Sequence, residues 1–177
     1  MSARPMILSA RVRKVVLSAH VTCSVGWIGA VAAFLALAIV GLTSRDIILA
    51  RGAYLAMAVT AWEVIAPLAF VSLVTGVVSS VGTSWGLFRH YWIVFKLLLT
   101  TFSTAILMIH MRPIDALARE AAHAGAVSDA LQGAQRLMVI ASSLAIVALV
   151  VVTALSLYKP RGVTPFGARS EPRASRP

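Results

Sequence analysis

The sequence has little of what catalysis and disulfide bonding require. Its single cysteine, Cys23, excludes both a disulfide and an all-cysteine metal cage within one chain. It contains no Cys-x-x-Cys pair, phosphate-binding glycine loop or His-Glu-x-x-His zinc motif. Charged residues make up only 12% of the 177 positions. We therefore expect a protein without enzymatic activity of its own.

Acidic residues are also scarce. Six of them stand against 16 lysines and arginines, which gives a formal net charge of +10. The basic residues lie mainly at the ends of apolar segments and in the C-terminal tail, where such residues set membrane topology and contact anionic lipid. The expected partner is therefore the lipid bilayer and not nucleic acid.

Apolar residues are abundant. They account for 59% of the chain, and the mean hydropathy is +0.89, far above that of a soluble domain. Four apolar segments are long enough to cross a bilayer as helices. We predict an all-α integral membrane four-helix bundle over residues 15–158, with spans at about 15–40, 53–81, 91–111 and 137–158. The segments 41–52 and 111–135 are predicted to connect them, the second with short interfacial helices.

The two ends of the chain are polar. Residues 1–14 are predicted to form a basic cytoplasmic arm, and residues 159–177, rich in Pro, Arg and Ser, a disordered cytoplasmic tail. With both termini in the cytoplasm, eleven lysines and arginines lie on the inner side and five on the outer side. This distribution favours a multi-pass protein of the bacterial inner (plasma) membrane with both termini cytoplasmic.

The third span carries a cation inside its apolar run. At 100° per residue, one helix face carries Lys96 together with Arg89, Trp92, Thr100, Ser103 and His110. One interpretation is that the ammonium of Lys96 extends to the near interface while the hydroxyls bond to their own helix. The other is that the whole stripe faces the bundle interior, a cofactor or a partner subunit, because lipid offers these groups no hydrogen bonds.

The first span contains an ionisable residue about 8 Å from its end, His20. A histidine at that depth is expected to be neutral and bonded to a carbonyl or hydroxyl on an adjacent helix, or to ligate haem or copper. Cys23 lies three residues further on, so the two side chains could reach one soft metal ion. Cys23 alone is more often a small buried apolar residue.

The second span contains an acid, Glu63, about ten residues from its predicted outer end. Pro67 lies four residues later and removes the usual helix partner of the Glu63 carbonyl, so a kink is expected there. The carboxyl is predicted to be buried, either protonated and bonded across helices or acting as an ion-pair or proton-relay group. Lys96 is the intramembrane cation available to it.

Several segments together resemble a known family. The first-span LSAHVTCSVGWIGA, the LVTGVV ending of the second span, the loop WGLFRHYW and the opening FKLLLT of the third resemble the copper-resistance-D-like group and related uncharacterised bacterial integral membrane proteins. The similarity covers about residues 15–112. It implies that His20, the segment 27–29 and Lys96 are recurrent features, and that the protein handles copper.

Four-helix membrane proteins that bind haem b between two histidines offer a second analogy, at the level of the fold. His90 and His110 are twenty residues apart, or about 30 Å along a helix, so they cannot ligate one iron. His20 and His90 both lie toward the cytoplasmic leaflet in the predicted topology. They are the candidate haem ligands within one chain.

Three hypotheses for the function remain open. The leading one is a non-catalytic inner-membrane accessory or interaction subunit, with a membrane-protein partner or a second copy of itself. The second is a component of membrane electron transfer or metal handling that binds haem b or copper. The third is a small oligomeric transporter or proton pathway built on Glu63 and Lys96.

Overall fold

The computed structural model describes residues 8–82, 91–123 and 131–158. Most of these residues are helical, and none of them lies in a strand. The elements in chain order are α1 (Ala10–Thr43), α2 (Ile47–Val59), a π-helical turn (Thr60–Ile65), α3 (Ala66–Val81), α4 (Tyr91–Ala122) and α5 (Gln132–Tyr158).

Four rods arise from these elements, because α2, the π-helical turn and α3 are continuous. Each rod is long and apolar enough to cross a membrane. The prediction of an all-helical chain with four such helices is confirmed for the described residues. Membrane insertion and the cytoplasmic location of the termini remain predictions. The tail 159–177 and most of the predicted arm, residues 1–7, lie outside the described residues.

The first two rods are longer than predicted, because polar caps begin helices outside the apolar segments. Ser9 accepts a hydrogen bond from the Val12 amide at 3.4 Å, so α1 includes the basic residues of the predicted arm from Ala10 onward. Asp46 Oδ1 accepts from the Ile48 amide at 2.8 Å and starts α2 there. Of the predicted connection 41–52, only residues 44–46 are non-helical.

The prediction of a loop from residue 111 was wrong for its first part, since α4 continues to Ala122. Pro113 lies inside this helix and does not end it. The reason is packing: side chains at helical spacing after the predicted end are buried, namely Met111, Ile114, Leu117 and Ala121. The last turn is also capped from α2, where Arg51 Nε donates to the Ala121 carbonyl at 2.6 Å.

The four rods form a ring around one apolar core. Helix α1 packs against α2, α3 and α5, and α4 packs against the same three. The largest fully buried side chains in the core are Tyr54, Met57, Ile114, Leu117 and Met138. The close approach of α1 and α2 depends on Gly41, where an added Cβ would lie 2.6 Å from the ring of Tyr54.

Candidate functional site

A cavity of about 750 Å³ lies between α1, α3, α4 and α5, at the end of the bundle where α1 begins and α5 ends. We call it the basic cavity. The polar side chains that line it include Arg13, Lys14, His20, Ser24, Ser72, Ser79, Ser80, Lys96, Thr100, Thr153 and Ser156.

His20 connects α1 to α3. Its Nδ1 lies 2.9 Å from the Ser72 carbonyl oxygen and 3.2 Å from Thr75 Oγ1. The predicted hydrogen bond to a carbonyl or hydroxyl on an adjacent helix is therefore confirmed. Since a carbonyl only accepts, Nδ1 carries the proton, and Nε2 of the neutral ring is left with a lone pair.

Small residues on α3 make room for this contact. Ser24 and Ser72 hydroxyls are 2.7 Å apart and join the same two helices. At Gly76 an added Cβ would lie 3.0 Å from Cε1 of His20, so a larger residue would press on the imidazole. Ser72 and Gly76 are therefore positions at which α1 and α3 pack closely.

Lys96 connects α4 to α5. Its Nζ donates to Ser156 Oγ at 2.6 Å and lies 5.6 Å from the centroid of the Trp92 ring. The Ser156 hydroxyl donates in turn to the Val152 carbonyl at 2.8 Å, so its oxygen is free to accept from the ammonium. Lys96 lines the basic cavity together with His20.

The whole described stripe around Lys96 faces the bundle interior. Trp92 and Thr100 line the basic cavity, whereas Ser103 and His110 line a second cavity of about 60 Å³ deeper in the bundle. Trp27 borders both cavities. These side chains line the two cavities, as the interior-facing interpretation expects, while the Thr100 hydroxyl donates to the Lys96 carbonyl of its own helix at 2.8 Å, as the other interpretation expects. Arg89 of the predicted stripe lies outside the described residues. His20 and His110 line separate cavities.

The basic cavity has no acidic lining. Arg13, Lys14 and Lys96 contribute three cationic side chains, and none of the carboxylates in the described ranges lines it. The buried hydroxyl of Ser79, which also lines it, has no hydrogen-bond partner among the described residues. The electrostatic environment therefore favours a negatively charged group.

Glu63 does not belong to this site. Its side chain is exposed on the outside of the bundle, and the described part of the chain offers it no hydrogen bond or ion pair, so its predicted burial in the interior was wrong for the single chain. Before Pro67, where a kink was predicted, the structure has the π-helical turn. This turn accommodates an extra residue and so changes the direction in which its side chains point. The neighbouring Trp62 Nε1 donates to Asp115 Oδ1 at 2.9 Å.

The other predicted ligands do not assemble into a metal centre within the described residues. Cys23 is half-buried and does not line the basic cavity that His20 lines. No group of three His, Cys, Asp or Glu side chains in the described ranges could hold a metal ion. His90, the second candidate haem ligand, lies outside the described residues.

Sequence analysis missed four members of the site. Arg13 and Lys14 were assigned to the cytoplasmic arm, and Ser72 and Ser156 were not predicted to belong to a site. Nothing in the helix of Ser156 pairs it with Lys96, which is sixty positions away. The position of Arg13 and Lys14 could have been predicted from Ser9, which is a suitable N-cap residue. A helix capped by Ser9 contains both residues in its first two turns.

No protein-family model, curated protein or solved structure matches this sequence. The resemblance to the copper-resistance-D-like group therefore remains a prediction.

Proposed function

We propose that this protein is a non-catalytic, multi-pass inner-membrane protein that binds an anionic molecule in the basic cavity. The observation that carries the proposal is Lys96. Its ammonium lies in an interior cavity, and its contacts there, Ser156 Oγ and the Trp92 ring, carry no negative charge.

A charged group inside a membrane protein is costly unless an opposite charge compensates it. A hydroxyl and an aromatic face offset part of that cost only. Arg13 and Lys14 border the same cavity and add repulsion to it. An anionic ligand removes both penalties, and the unpartnered Ser79 hydroxyl can donate to it.

The predicted topology agrees with this ligand. With both termini in the cytoplasm, the basic cavity lies in the inner half of the membrane, since it is formed by the start of α1 and the end of α5. Anionic lipids give the cytoplasmic leaflet its negative surface potential. An accessory subunit that carries such a ligand to a membrane-protein partner fits this arrangement.

Thermal unfolding of the purified protein in neutral detergent tests the proposal. Phosphatidylglycerol should raise the Tm with increasing concentration, because a ligand that binds only the folded state stabilises it, whereas phosphatidylcholine should not. Lys96→Met should lose most of the shift, and Lys96→Arg should keep it. Equal shifts with both lipids, or an unchanged shift in Lys96→Met, would refute the proposal.

Haem b is a second candidate, and one observation favours it. The bond from His20 Nδ1 to the Ser72 carbonyl leaves Nε2 available, which is how a ligating histidine is usually oriented. The basic side chains of the cavity would then pair with the haem carboxylates. A Soret band in the purified protein that His20→Ala abolishes would select haem. Copper fits less well, because the described residues provide no cluster of three donor side chains.

A further inference from the structure

We infer that the ligand of the basic cavity is an anionic phospholipid, whose phosphate lies among Arg13, Lys14 and Lys96 while its acyl chains leave the bundle sideways between α1 and α5. This inference rests on the proposed function and specifies the ligand. It is carried by the way the four helices around the cavity are joined in pairs.

The first pair is α1 with α3. His20 and Ser24 of α1 bond to Ser72 of α3, and the Leu8 amide, just before α1, bonds to the Gly82 carbonyl at 3.4 Å. These contacts join the two helices along this side of the cavity.

The second pair is α4 with α5, joined by the bond from Lys96 to Ser156. The cavity lies between the two pairs and therefore has two further sides. One of them lies between α3 and α4, whose lining residues are all buried or half-buried. The other lies between α1 and α5, whose lining residues include exposed side chains.

The side between α1 and α5 has an apolar rim. Leu17, Val21 and Val25 lie one turn apart on α1, and each lines the cavity while staying exposed on the outer surface, Val21 to 50%. Leu157 on α5 does the same at 75% exposure. Side chains that face both the cavity and the surroundings mark its mouth.

This mouth suits a hydrocarbon chain. From Leu17 to Val25 the rim extends about 12 Å along α1, which is eight residues at the helical rise. A water-soluble anion would leave this rim unused, and a neutral lipid would leave three cations uncompensated. A molecule with a phosphate at one end and acyl chains at the other compensates the cations and also covers the apolar rim.

Native mass spectrometry of the full chain can test the role of the apolar rim separately from the role of the cations. Val21→Trp narrows the rim and leaves every cation in place. Val74→Trp is the matched control, because Val74 is an equally exposed valine, at 58%, that does not line the cavity. The probes are phosphatidylglycerol and glycerophosphoglycerol, the same headgroup without acyl chains.

We expect wild type and Val74→Trp to retain one phosphatidylglycerol, and Val21→Trp to bind it about tenfold more weakly. Glycerophosphoglycerol should not compete at equal concentration. If glycerophosphoglycerol displaces the lipid and Val21→Trp binds normally, the cavity takes a soluble anion and this inference fails while the proposed function stands. If wild type binds neither phosphatidylglycerol nor glycerophosphoglycerol more tightly than Lys96→Met does, the proposed function fails.

Discussion

The Nδ1 atom of His20 lies 2.9 Å from the carbonyl oxygen of Ser72, and this contact joins the first and third helices at the wall of the basic cavity. It fixes the proton on Nδ1 and orients the ring against Gly76. A residue that sequence analysis offered as a haem or copper ligand thus already has a structural role in the folded chain.

Removing this contact should destabilise the bundle. His20→Leu keeps the side-chain bulk but has no donor, so the free energy of unfolding should fall by about 1 kcal/mol, the usual value for such a bond. Reversible unfolding in mixed micelles measures it. The control is Ser143→Ala, whose hydroxyl bonds only to the Val139 carbonyl of its own helix. An effect of His20→Leu no larger than that of the control would mean that the contact contributes nothing.

A methyl group at Gly41 should separate α1 from α2. The added Cβ would lie 2.6 Å from the buried ring of Tyr54, so Gly41→Ala should lower the free energy of unfolding by about 1–3 kcal/mol. Gly29→Ala on the same helix is the matched control, because nothing lies within 4 Å of its added Cβ. There the better helix propensity of Ala should leave stability equal or higher. Similar losses at both positions would contradict the packing of Gly41 against Tyr54.

The end of α4 should depend on α2. Arg51 donates to the carbonyls of Ala121 and Ala122 at 2.6 and 3.3 Å. These carbonyls lie in the last turn of α4 and have no hydrogen-bond donor within that helix. Arg51→Ala should therefore speed amide hydrogen exchange over residues 115–122. Arg112→Ala, which removes an exposed arginine of α4 itself, is the control. Unchanged exchange in Arg51→Ala would show that the cap is dispensable.

The position of Glu63 predicts a small effect. Since its side chain is exposed and without a described partner, Glu63→Gln should change the free energy of unfolding of the monomer by less than about 0.5 kcal/mol. Unfolding at low protein concentration measures this. A loss of more than about 2 kcal/mol would return Glu63 to the bundle interior and favour the proton-pathway hypothesis.

Composition and periodicity were enough to predict the four apolar helices and the grouping of the polar residues around Lys96 on one helix face, since both depend on properties of one helix. The direction in which that face points stayed open, because it depends on the other helices. The ends of the helices were also harder to predict. Asp46 begins α2 through its own side chain, but α4 continues past Pro113 because Ile114 and Leu117 are buried in the common core, which only the fold provides.

The site itself depends on pairs of residues far apart in the chain. Lys96 and Ser156 are sixty positions apart, and His20 and Ser72 are fifty-two apart, so no local pattern joins them. The burial of Glu63 was predicted from its depth in the second span. Depth does not decide towards which side of the helix a side chain points, and Glu63 lies in the π-helical turn Thr60–Ile65, where side chains point in other directions than in a regular α-helix.

The most direct test concerns the charge of Lys96. Wild type, Lys96→Arg and Lys96→Met are purified from cells in the same delipidating detergent, and the phospholipid that stays bound to each is quantified by native mass spectrometry. We predict one anionic phospholipid per chain in wild type and Lys96→Arg, and about tenfold less in Lys96→Met. Equal retention in all three proteins would contradict the account.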